Sequence, residues 1–85
     1  MMSSNQIDTR SARLTTDDHL VIGALVYSFR KKAGMTLADL GGIVGVSGEQ
    51  IRKIECGINR VDFVRMVKIA DALGVGIAHF AAKVK

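Results

Sequence analysis

The chain has 85 residues, with Lys+Arg 12 against Asp+Glu 8, a formal net charge of +4, no proline, no tryptophan and one cysteine. That length is enough for one domain. A single cysteine excludes an intrachain disulfide, and no Cys/His spacing suits zinc, so neither a disulfide scaffold nor a metal or cofactor site is expected. Mild basicity suits a polyanionic partner without requiring one.

Residues 1–14 (MMSSNQIDTRSARL) are polar and show no sustained periodicity, which predicts a flexible N-terminal tail. Residues 15–85 read as one helical domain. Thr15 or Thr16, followed by Asp17 and Asp18, starts a helix with acids at its N-terminal dipole. Arg30, Lys31 and Lys32 suit its C-terminus, and Gly34 ends it. On the wheel Val21, Ile22, Leu25 and Phe29 share one face, and Leu20, Ala24 and Tyr27 another. Two apolar stripes need two neighbours, the second being the tail or another subunit. The apolar run from Leu20 to Phe29 is about half the length that spans a bilayer. No membrane segment is therefore expected, and the protein reads as soluble and cytoplasmic.

The stretch from Thr36 to Gly57 carries most of the information. Thr36 and Ser47 are good N-caps, each ahead of an apolar-periodic segment. The first segment, Leu37 to Val44, is a poor helix former, since Gly41 and Gly42 each cost about 1 kcal/mol relative to alanine. Packing must hold it, and a glycine there permits close helix approach. Gly45 lies where a chain leaving a helix tolerates positive φ. The second helix runs from Gly48 to about Cys56. Two helices crossing at roughly 90–120° through such a turn form a helix-turn-helix, the unit that offers its second helix to the DNA major groove.

With Ile51 at zero on the wheel of that second helix, Ser47, Ile51, Ile54 and Glu55 cluster on the docking side. Glu49, Arg52, Lys53 and Cys56 lie opposite, with Gln50 on the flank. Arg and Lys can donate to guanine O6/N7, Glu can accept from cytosine N4, and Gln can pair with adenine N6/N7. Gly48 lets the helix N-terminus approach a phosphate or base edge. The plainer reading of the same face is a solvated helix surface. Glu55 falls towards the apolar side, where a carboxylate needs a partner. Arg30, at the end of the first helix, is the natural one, making a structural pair. The tail then offers Arg10 and Arg13 as an arm on DNA, unless it is an ordinary frayed terminus.

Beyond the Ile58–Arg60 loop, Asp62 caps a helix that ends before Gly74, with Phe63, Met66, Ile69, Ala70 and Leu73 as its inner face. Ile77, Phe80, Ala81 and Val84 recur at i, i+3, i+4, i+7 and predict a short closing helix. His19 and His79 are expected to face solvent, and Met35 and Met66 to fill the core. With no βαβ alternation and no period-2 runs, the fold class is all-α: a compact five-helix domain with its helix-turn-helix at helices 2 and 3, about residues 36–57.

The sequence resembles the lambda-repressor/Cro-like helix-turn-helix family, the Cro/CI-type regulators, over about residues 20–82. The resemblance is carried by Arg30, Gly34-Met35-Thr36, Leu40, Gly45-Val46-Ser47, Ile51, Ile54-Glu55-Cys56-Gly57 and Ile69-Ala70-Asp71-Ala72-Leu73-Gly74-Val75. It implies a DNA-binding domain, usually homodimeric, acting on transcription at palindromic operators. Carried over by position, Ser47, Gly48, Glu49, Gln50, Arg52 and Lys53 fall where the family reads bases or adjacent phosphates. Thr36 and Leu37 fall where it grips the backbone, and Asn59 and Arg60 lie in its phosphate-contacting loop. Arg30 and Glu55 match its internal ion pair. The chain departs from the pattern at Leu37 (usually glutamine), at Gly41, Gly42 and Ile43, and at Val61, where proline often stands. Gly48 removes a readout side chain, and Glu49 adds a negative charge facing DNA.

The expected function is therefore a sequence-specific DNA-binding transcriptional regulator, a homodimer on double-stranded DNA, inserting helix 48–56 into the major groove. The alternative is a protein-interaction or antitoxin-like module that kept the fold and binds a protein partner. No nucleophile–base pair, carboxylate dyad or metal cluster points to an enzyme. Cys56, on the exposed side of the second helix, is a candidate redox-sensitive thiol.

Overall fold

The four longer helices each begin at a side-chain cap or an acidic turn and end near a glycine, as the sequence predicts. The computed structural model describes residues 16–83, so the expected tail at 1–14, Thr15 and Val84 lie outside the described residues. Among the described residues there are five helices and no strand: α1 (Thr16–Lys32), α2 (Leu37–Val44), α3 (Gly48–Glu55), α4 (Phe63–Ala72) and α5 (Ala78–Ala81). The fold is all-α, with the helix-turn-helix formed by α2 and α3.

Both helices of that unit open with a reciprocal cap. The Asp39 amide donates to Thr36 Oγ1 at 3.0 Å, and the Thr36 amide donates back to Asp39 Oδ2 at 2.9 Å. The Gln50 amide donates to Ser47 Oγ at 3.1 Å, and the Ser47 amide to Gln50 Oε1 at 3.0 Å. Each box satisfies two amides that a helix start otherwise leaves without partners. Asp62 caps α4 by accepting from the Arg65 amide at 2.8 Å.

Ile22 and Val26 of α1, Leu40 and Val44 of α2, and Ile51 and Ile54 of α3 form one buried cluster with Met66, Ile69, Ala70, Leu73 and Phe80. The turn between α2 and α3 is tight. Gly45 sits at φ +84°, and the amides of Gly45 and Val46 both donate to Gly41 O, at 2.8 and 2.9 Å. A Cβ on Gly41 would stand 2.6 Å from Val46 O, so the turn closes only over a glycine.

The inward face of α1 differs from the expected stripe. Val21 is 37% exposed, whereas Val26, absent from both stripes, is fully buried. His19 was expected to face solvent and is buried as well. The reason is geometric. His19, Ile22, Gly23, Val26 and Arg30 follow i, i+3, i+4, i+7, i+11, so they share one face. Three of these five are not apolar, which pulls the apolar signal away from the true inner face. Leu20 and Tyr27 of the second stripe are exposed. At the start of α4, Phe63 was expected inside and is 73% exposed, and Ala81 of α5 is also exposed. Met66 is buried, Met35 packs against the core from its edge, and His79 is exposed as expected.

Candidate nucleic-acid interface

The buried residues of α3, Ile51 and Ile54, leave its other side to solvent, where Glu49, Gln50, Arg52 and Cys56 are exposed and Lys53 is half-buried. Three contacts fix how this helix lies. Its N-terminus is closed by the Ser47–Gln50 box and packs against the start of α2. A Cβ on Gly48 would meet Ala38 N at 3.1 Å and Leu37 C at 3.3 Å. The small residue at 48 thus lets α2 and α3 pack closely. In its last turn, α3 crosses α1 at Gly23, where a Cβ would stand 2.8 Å from Glu55 C.

At its C-terminal end, α3 is tied down by Arg30. Arg30 Nε donates to Glu55 Oε2 at 2.6 Å and Nη2 donates to Oε1 at 3.0 Å, while Nη1 donates to Met35 O at 2.8 Å. The two side chains are 8% and 7% exposed. One guanidinium so joins the end of α1, the loop before α2 and the last turn of α3. Hydrogen bonding to Glu55 raises the Arg30 pKa above its ordinary value, against the opposing effect of burial.

On the outer face, Arg52 Nε donates to Glu49 Oε1 at 2.9 Å and Nη2 to Oε2 at 2.7 Å, and Arg52 Nη1 lies 3.8 Å from Cys56 Sγ. The hydrogen bonds from Arg52 hold the Glu49 carboxyl below its ordinary pKa, and those to Glu49 raise Arg52 further. The sequence reading missed this pairing, although the i, i+3 spacing of opposite charges is its signal.

The remaining candidate residues are placed as follows. Gln50 Oε1 is engaged by the Ser47 amide, which leaves its NH2 to meet an acceptor. Ser47 Oγ caps α3. Thr36 is exposed at the start of α2, and the side chain of Leu37 packs against the core, leaving only its backbone to meet a phosphate. Asn59 and Arg60 are exposed in the loop that follows α3, where the amides of Ile58 and Asn59 donate to Lys53 O at 2.9 and 3.2 Å. The structure therefore brings the amino end of α2, the outer face of α3 and the 58–60 loop together around one helix-turn-helix. Among the described residues no group of His, Cys, Asp or Glu is placed to hold a metal, and no helix is long and apolar enough to cross a membrane.

Two short helices joined through a left-handed glycine, the second docked by one face and free on the other, define a helix-turn-helix domain. The sequence pattern of the Cro/CI-type helix-turn-helix family matches residues 26–80, and the chain belongs to that family. It is 34% identical over 80 residues to an HTH-type transcriptional regulator, y4wC, of Sinorhizobium fredii, covering 94% of this chain and 54% of the relative. The chain thus spans about half the length of that relative. The clp gene regulator ClgR of Corynebacterium glutamicum superposes with a TM-score of 0.74 at 28% identity, over 76% of this chain and 69% of the other. The restriction-modification controller protein C.AhdI of Aeromonas hydrophila gives 0.73 at 22% identity, over 76% and 94%, a likeness of fold alone. The family is a helix-turn-helix family, and these relatives are transcriptional or gene regulators.

Proposed function

We propose that residues 15–85 form the DNA-binding unit of a sequence-specific transcriptional regulator, which inserts α3 into the major groove as one half of a homodimer. The observation that carries this reading is the division of α3 into two faces. Ile51 and Ile54 are buried, while Glu49, Gln50, Arg52 and Lys53 are displayed beside the exposed Asn59 and Arg60. The displayed residues have the donors and acceptors that major-groove edges demand. Flanking them, the amides at the start of α2 and the 58–60 loop suit phosphates on either side. Two such units bind half-sites about 34 Å apart. Phe63, Val64 and Val67, all exposed on α4, supply apolar surface of the kind a subunit contact removes from water. A cytoplasmic location follows from DNA as the partner.

The test is selection of bound sequences from a random double-stranded DNA pool at two salt concentrations, with light scattering to count subunits. A specific binder enriches a palindrome and weakens steeply with salt. Lys53→Ala relaxes base preference, whereas Arg60→Ala weakens all sequences alike and reduces the salt slope by about 1. The competing reading, a protein-interaction or antitoxin-like module, draws on the internal neutralisation of Arg52 by Glu49. Enrichment of no sequence, together with co-purification of a protein partner, would select it instead.

A further inference from the structure

The Glu49–Arg52 pair is 57% and 45% exposed, and such a pair contributes little to stability. Its consequence lies in where it puts the guanidinium. Glu49 occupies the side edge of Arg52, formed by Nε and Nη2. The end edge, formed by Nη1–H and the second Nη2–H, is directed away from that carboxylate, and Nη1 has only the long 3.8 Å contact to Cys56 Sγ. An end-on fork is the geometry that donates to guanine O6 and N7 together. An unpaired arginine on a helix surface must be ordered when it binds, but here the plane is already set, by Glu49 one turn before it and Cys56 one turn after.

The charge balance points the same way. Glu49 cancels Arg52, so the pair adds nothing to sequence-independent attraction for phosphates and acts only where a base edge completes it. The carboxylate keeps lone pairs that accept from an exocyclic amino group. Across the major groove a G·C pair presents N7 and O6 as acceptors, followed by the cytosine N4 amino donor. Nη1, Nη2 and the Glu49 carboxylate follow one another in that same order.

We infer that Glu49 and Arg52 act as one reading unit for a single G·C base pair in each half-site, Arg52 donating to guanine and Glu49 serving as its positioning residue. This rests on the DNA-reading function proposed above. The experiment compares wild type, Glu49→Gln, Arg52→Lys and the double variant in selection from a random double-stranded DNA pool. Binding is then titrated on the selected site and on the same site with each base pair replaced. Circular dichroism melts establish that each variant is folded, as expected for changes at exposed side chains.

The expected result is one base pair per half-site at which wild type prefers G·C roughly tenfold or more. Glu49→Gln and Arg52→Lys each reduce that preference to a few-fold without changing preferences elsewhere, and the double variant loses no more than Arg52→Lys alone. The inference is overturned if Glu49→Gln tightens binding to every sequence equally and leaves the G·C preference intact, because Glu49 would then only repel phosphate. It is also overturned if no G·C preference responds to Arg52→Lys. Both outcomes leave the DNA-reading function standing. If wild type enriches no sequence, that function itself fails and the inference falls with it.

Discussion

Replacing Gly23 by alanine tests whether the crossing of α1 over α3 sets the position of α3. The new Cβ would lie 2.5 Å from Glu55 O and 2.8 Å from Glu55 C, and closer still to Ile54 O. Ordinary contact begins at 3.4 Å, so the approach is roughly 0.9 Å too short at Glu55 O. The obstructing atoms are backbone of a helix held at both ends, and no rotamer change relieves them. The helices must part, loosening Ile22 and Val26 against Ile51 and Ile54. Overpacking of this kind costs about 1–3 kcal/mol and sometimes more, against a gain of about 1 kcal/mol from alanine's better helix propensity. For a domain of this size each net kcal/mol lowers the melting temperature by about 4–8 °C. Gly42→Ala is the control, because nothing lies within 4 Å of a Cβ there and the residue is exposed. Only the propensity gain operates at that position, so Gly42→Ala should melt about 4–8 °C above wild type. Melting curves of both variants by far-ultraviolet circular dichroism decide the matter. A Gly23→Ala protein that melts at or above wild type refutes the reasoning.

Two further predictions follow from the same structure. Glu55→Gln leaves the Arg30 guanidinium buried without its counter-charge, so denaturant unfolding should show a loss of about 3–5 kcal/mol, a far larger effect than removing the exposed Glu49. Asp39 is held below its ordinary value of 3.8 by hydrogen bonds from the Thr36 backbone and side chain. Its charge therefore stabilises the fold above that pH, and the benefit is lost as pH falls through the lowered folded pKa. Asp39→Asn should accordingly melt below wild type at neutral pH, with the gap closing in acid below about 3.8, and a gap that is constant with pH would contradict the assignment.

The sequence was most informative where local chemistry alone decides structure. Thr36, Ser47 and Asp62 each act on the amide three residues away, so the starts of α2, α3 and α4 could be placed from the sequence. The inner face of α1 was harder to read because tertiary needs override hydrophobicity there. Gly23 is inward for its lack of volume, and Arg30 for its pairing with a residue 25 positions away. Phe63 misled for the opposite reason, since an aromatic at the first turn of an amphipathic helix scores as core although it stands at the rim. On the outer face of α3 the residue types were legible, but their mutual engagement was not. Gln50 is half used by its own helix cap and Arg52 by Glu49, and both facts depend on side-chain conformation.

The anchoring of α3 has an evolutionary consequence. Its N-terminus is held by a serine cap and glycine packing, its C-terminus by Arg30, and its middle by Ile51 and Ile54. None of these supports uses positions 49, 52, 53 or 56 to dock the helix. Substitutions at those positions can accumulate with little penalty in folding, so a lineage carrying this scaffold is free to acquire new binding preferences by drift on one helical face.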